Sequence, residues 1–143
     1  MSECAGAVPE SENDLVLGLL THLEACFGAN CPWAREVRSH GTAHTDVLLA
    51  CGDEVIAIEA KLYQWQRAVG QAVLNRFCAD RSYIAVPAGT VRPLLIETAV
   101  RYGIGILAVG AEGVEIVAEA PVAAPSPGRR AALAAHLASG ARS

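Results

Sequence analysis

Residues 44–61 read HTDVLLACGDEVIAIEAK. Two β-branched and aliphatic runs, 45–50 and 54–60, flank Gly52-Asp53, which is the pattern of two strands joined by a tight turn. A two-residue loop pairs Cys51 with Glu54, so the numbers of facing residues sum to 105. This register sets Asp46 opposite Glu59 and His44 opposite Lys61. Alternation with period two puts Glu59 and Lys61 on one face. Two carboxylates then face each other with Cβ atoms roughly 5 Å apart, which is unfavourable unless positive charge lies between them. A hard divalent cation, Mg2+ or Mn2+, would supply that charge through Asp46, Glu59, the backbone carbonyl of Ala60 and waters. Lys61 would stand beside it, placed to orient a water or neutralise an oxyanion.

The plain alternative is that Asp46, Glu59 and Lys61 form the solvated face of an edge hairpin. Two features weigh against it. The acids are embedded in VLLA and VIAIEA, runs apolar enough for central strands. Lys61 is also the only lysine among 11 basic residues, and a compact ammonium is chemically distinct from a guanidinium.

Asp46, then Glu59-Ala60-Lys61 on the next strand, resembles the PD-(D/E)xK nuclease superfamily, the restriction-endonuclease-like fold. Thr45 stands where the family name has proline, a position where the family itself varies. Gly70-Gln71-Ala72 is similar to the glutamine helix of the Mrr-like and Holliday-junction-resolvase-like branches. The run from Ser11 to Val16 is similar to their acidic first helix. The resemblance spans residues 11–119. It implies an α/β fold with a mixed central sheet flanked by helices, in the order α-β-β-β-α-β-α-β. It also implies metal-dependent phosphodiester hydrolysis that leaves a 5′-phosphate. Asp46, Glu59, Lys61 and Gln71 would be catalytic, and Asp46, Glu59 and the Ala60 carbonyl would hold Mg2+ or Mn2+.

Taken in order, residues 1–10 lack periodicity. Ser11 is an N-cap, with Asp14 three residues on. Leu15, Leu19, Leu23 and Phe27 make a helical stripe that ends at Gly28. Glu12, in its first turn, is either an accessory acid for the metal or a carboxylate favoured by the helix dipole. Residues 33–39 read as a strand. His44 either touches substrate phosphate or caps a strand end. Residues 64–79 form a helix with Trp65, Val69, Val73 and Phe77 facing the core. Gln64, Arg67, Gln71 and Asn75 form a polar stripe. That stripe either faces water or approaches the site, where Arg67 could hold a phosphate and Gln71 a water. Residues 81–86 and 104–109 read as buried strands around a helix capped by Thr90, and 114–118 as a further strand. Residues 120–143 combine a proline-rich linker with an Ala/Arg helical segment. This segment docks on a neighbour, contacts phosphate, or frays.

At 143 residues, 52% hydrophobic and 18% charged, the chain predicts one globular domain with a real core. The net charge of −4 counts against a broad phosphate-tracking surface but not against an acidic metal site. Five cysteines with no zinc-like spacing, and no membrane-length apolar run, predict core thiols in a reducing cytoplasm and no membrane partner. The expected partner is nucleic acid, DNA first, with a homodimer or a separate protein supplying specificity, since cutting both strands needs two sites. The functional setting would be defence against foreign DNA or DNA repair. A non-catalytic module on the same fold, binding nucleic acid or a protein, is the alternative. The complete Asp–Glu–Lys set argues against it.

Overall fold

The computed structural model describes residues 9–38 and 44–138, with the side chains of Arg38 and His44 outside the description. Its elements are α1 (Glu12–Thr21), α2 (Leu23–Phe27), β1 (Trp33–Arg38), β2 (His44–Cys51), β3 (Glu54–Ala60), α3 (Trp65–Asn75), β4 (Arg81–Pro87), α4 (Pro93–Tyr102), β5 (Gly105–Gly110), β6 (Gly113–Ala118) and α5 (Pro127–Ala138). Six strands form one open mixed sheet in chain order. The β1–β2, β2–β3 and β5–β6 pairs are antiparallel, and β3–β4 and β4–β5 are parallel. Parallel pairs need crossovers, and α3 and α4 supply them. The order α-β-β-β-α-β-α-β is found with a short second helix, α2, after the first, and the strand expected at 114–118 and the C-terminal helical segment follow as β6 and α5.

Two layers of helix cover the sheet. On the front, Leu15, Val16, Leu19 and Leu23 pack against Val47, Ile58, Tyr83 and Leu107. On the back, α3 and α4 cover Ile84, Val86 and Ile106, and α5 covers Leu48, Val55 and Ala57. Burial on both faces explains why β3 and β4 read as almost continuous apolar runs. Among the described residues, no helix is long and apolar enough to cross a membrane.

Local chemistry sets most boundaries. The Ser11 hydroxyl accepts the Asp14 N–H at 3.0 Å and starts α1. The first helix is not continuous to Phe27: at His22 the backbone leaves helical geometry (φ −115°, ψ 15°) and a short α2 follows. Thr90 lies in a 3-10 turn, its hydroxyl bonded to the Pro87 carbonyl at 2.7 Å. Arg92 is the N-cap residue of α4, and Pro93 opens that helix. The C-terminal segment docks on its own chain. Leu133 and Leu137 are buried, Arg130 pairs with Asp80 at 2.8 Å, and Arg130 also donates to the Asp53 carbonyl.

Candidate functional site

The β2–β3 hairpin has the 105 register from Cys51–Glu54 to Val47–Ile58. At the next position Asp46 Oδ2 accepts the Ala60 N–H at 2.8 Å. The acid thus reaches into the backbone of the neighbouring strand at the open end of the hairpin.

Simple alternation fails there, and the failure builds the site. Ala34 and Val37, three apart on β1, both enter the back cluster. On β2, Leu48 faces back, and Thr45, also three apart, bonds to Asn75 of α3. Glu36 and Asp46 are the facing pair missing from the β1–β2 ladder, whose register is the same on either side of them, so both strands are irregular at one level. Glu36 has φ +52°, a conformation that costs a non-glycine residue energy. Such bulges re-aim side chains. Here Asp46 joins Glu12, Asn13, Arg35, Glu36 and Ala60 around a cavity of about 170 Å³.

Glu59 faces the other way, under α3, and is 1% exposed. Asn75 Nδ2 donates to Glu59 Oε2 at 2.8 Å, and the Thr45 hydroxyl donates to Asn75 Oδ1 at 3.3 Å. Burial pushes the Glu59 carboxyl up to about 8, and the Asn75 amide works against that rise. The charge of Asp46, and a hydrogen bond between the two carboxyls, add to it. At neutral pH the Glu59 carboxyl therefore keeps its proton.

Lys61 Nζ lies 3.3 Å from Glu12 Oε2, and the same oxygen accepts the Leu62 N–H at 3.3 Å. Glu12 thus ties the N-terminus of α1 to the end of β3, beside the cavity. The positions expected from sequence are brought together in part. Asp46, Ala60 and Glu12 line one cavity, with Lys61 bonded to Glu12 beside it, whereas Glu59 lies on the other side of the sheet, under α3, and does not share a face with them as expected. Arg67 and Gln71 lie exposed on α3, with Gln71 one turn before Asn75 on the same side of the helix. The His44 side chain lies outside the described residues. The buried residues of α3 are Ala68, Val69, Ala72 and Asn75. The expected core face through Phe77 is rotated, and Phe77 itself is exposed.

Sequence reasoning missed three site residues. Asn75 was placed in the polar stripe but not at the carboxyl it holds. Glu36 carried no signal, because a bulge is invisible to a period-two reading. Arg35 lines the cavity with Nη2 on Asn13 Oδ1 at 2.9 Å, and its buried Nε has no hydrogen-bond partner among the described residues.

Among the described residues, no cluster of three or more His, Cys, Asp or Glu is arranged to hold a metal ion. Of the expected donors, Asp46 and Ala60 line the small polar cavity, and Glu59 is held under α3 by Asn75.

Fold and site together define an α/β protein with a mixed open sheet and a carboxyl pair at the splayed end of its antiparallel hairpin. No protein-family model matches the chain, and no curated protein does. Among solved structures it is similar to SPO1766, a protein of unknown function from Silicibacter pomeroyi. Identity is 25% over 87% of this chain and 82% of that one, with a TM-score of 0.68. A partial likeness, with 16% identity and a TM-score of 0.38, covers 66% of this chain and 56% of SfsA from Pyrococcus furiosus, solved in complex with Ca2+.

Proposed function

We propose that this protein is a metal-dependent nuclease of the restriction-endonuclease-like fold that hydrolyses phosphodiester bonds of DNA in the cytoplasm. The observation that supports this reading best is the nearness of Asp46 to the buried Glu59, whose proton the Asp46 charge helps to keep, with Lys61 just beyond the end of β3. Two acids held together against their own repulsion are ready to exchange their proton for Mg2+ or Mn2+. When bound, that ion would polarise the phosphate and make water more acidic.

The chain's own groups do the rest. Asn75 fixes the Glu59 carboxyl, and Thr45 fixes Asn75. Glu12 holds the Lys61 ammonium at the cavity, where it orients the attacking water and neutralises charge building on the phosphate oxygens. Gln71 and Arg67, exposed along α3, contact water and phosphate of the incoming strand. A non-catalytic binding module is the second reading. The net charge of −4 fits its protein-binding form, since a module that binds a protein needs no broad positive surface.

Cleavage of supercoiled plasmid and labelled single strands, with Mg2+ or Mn2+, decides between them. Wild type should cut, and Lys61→Ala and Asp46→Asn should each lose about 10²-fold or more in rate. Equal cutting by wild type and both variants would remove the assignment of the site. No cutting by wild type on any strand would favour the binding module.

A further inference from the structure

At the end of the β1–β2 ladder far from Asp46 lie two cysteines. Facing residues on these strands have numbers that sum to 82, as in Trp33–Leu49 and Arg35–Val47. The same register carried one pair beyond Pro32–Ala50 sets Cys31 against Cys51. The Ala50 N–H donates to the Pro32 carbonyl at 2.9 Å. Pro32–Ala50 is therefore the hydrogen-bonded pair, and Cys31–Cys51 falls on a non-hydrogen-bonded position. Such positions bring Cα atoms to roughly 4.5 Å and side chains closest together. That separation lies inside the range of about 4.4–6.8 Å spanned by disulfides.

The side chains agree with the backbone. Both pack against the front cluster, and both are only half-buried. The Cys31 thiol is near enough to add to the rise that burial imposes on the Cys51 thiol, and Cys31 Sγ donates to the Phe27 carbonyl at 3.5 Å. The other described cysteines are engaged elsewhere. Cys78 is buried in the back cluster, and Cys26 Sγ donates to the Val114 carbonyl at 3.7 Å.

We propose that Cys31 and Cys51 are an oxidisable dithiol, a modification site that closes to an intramolecular cross-strand disulfide when the protein meets hydrogen peroxide. In the first step one sulfur attacks a peroxide oxygen, the O–O bond breaks, and a sulfenic acid forms with release of water. In the second, the other sulfur attacks that sulfenic sulfur and the hydroxyl leaves with a proton as water. Two thiols and one peroxide become one disulfide and two waters, a two-electron oxidation of sulfur matched by reduction of the peroxide. Burial, then the Cys31 thiol and the Glu54 charge, hold the Cys51 thiol up to about 12. The bond would fasten β1, whose only strand neighbour is β2, at the end where that edge begins. The site does not depend on the nuclease reading.

The test treats the reduced full chain with excess hydrogen peroxide, digests it without reductant, and maps cross-linked peptides by mass spectrometry. The expected product is a monomer carrying one Cys31–Cys51 bridge, reversed by dithiothreitol, with a melting temperature several degrees above the reduced form. Cys31→Ser and Cys51→Ser should each abolish the bridge and the shift. Cys4→Ser and Cys26→Ser should leave both intact. As a second probe, phenylarsine oxide condenses with two adjacent thiols. It should add one arsenic per wild-type chain, with release of one water, and none to either single variant at this pair. Sulfinic or sulfonic acid at Cys31 without a bridge, a bridge to another cysteine, or disulfide-linked dimers as the main product would overturn the proposal.

Discussion

Glu59 carries a proton in the folded chain at neutral pH because burial and Asp46 hold its carboxyl at about 8, against an ordinary value of 4.5. The sign of the consequence follows from linkage. Between about 4.5 and 8 the native state keeps a proton that the unfolded chain has released, so stability from this group is complete below 4.5. It is lost as pH rises through 8. Without divalent ions, the wild-type melting temperature should therefore decline from pH 6 to pH 9. Glu59→Gln replaces a neutral carboxyl by a neutral amide of the same shape. It should flatten that decline and melt above wild type at pH 9, while losing cleavage. Matching slopes for wild type and variant in calorimetric scans would mean that Glu59 is ionised in the fold. Much of this pair is legible in sequence. Gly52-Asp53 fixes the turn, the turn fixes the register, and the register holds as far as Val47–Ile58, one pair short of Asp46 and Glu59. What cannot be read is that Glu59 turns under α3 while Asp46 slips into the cavity. That depends on the bulge at Glu36, and nothing in the period-two pattern of β1 announces it.

Elements follow their periodicity where burial is one-sided and depart from it where a neighbour decides. The stripe on α1 is clear, and Leu15, Leu19 and Leu23 are buried as spacing implies. On α3, small residues win. Ala68 and Ala72 let the helix sit close to the sheet, and the Ser82 hydroxyl bonds the Ala72 carbonyl at 2.6 Å. That approach turns Asn75 inward and Phe77 outward, although phenylalanine is the stronger hydrophobe. The last helix is the larger departure. A run of alanines behind two arginines has a weak apolar stripe, and its docking rests on Leu133, Leu137 and the Arg130–Asp80 pair. Those partners lie some 50 or more residues away in sequence, beyond the reach of a local pattern. If α5 is part of the fold, Leu133→Ala should lower stability by about 2–5 kcal/mol in urea or thermal unfolding. A frayed tail would change it by less than about 0.5 kcal/mol.

The whole chain carries a net charge of −4, and its candidate site adds Glu12, Glu36, Asp46 and Glu59 within one region, balanced locally by Arg35 and Lys61. A polyanion approaching that region meets repulsion unless a cation is present. The nuclease reading and the binding-module reading therefore part at the level of the molecule. In the first, fold, metal and nucleic acid are linked. A divalent ion at ten times its dissociation constant stabilises the native state by about 1.4 kcal/mol, a few degrees for a domain of this size. The gain should grow from pH 6 to pH 8 as the Glu59 proton becomes easier to displace, and Asp46→Asn should lose it. DNA binding by Lys61→Ala, measured by fluorescence anisotropy so that cleavage does not interfere, should require Mg2+ or Mn2+ and vanish in chelator. In the second reading the carboxyl pair is only a buried proton store, and a binding surface elsewhere works without it. DNA bound as tightly in chelator as in Mg2+, with no metal-dependent rise in melting temperature, would establish that second reading. Asp46 and Glu59 would then have a structural role, holding β2 to β3 where the ladder opens.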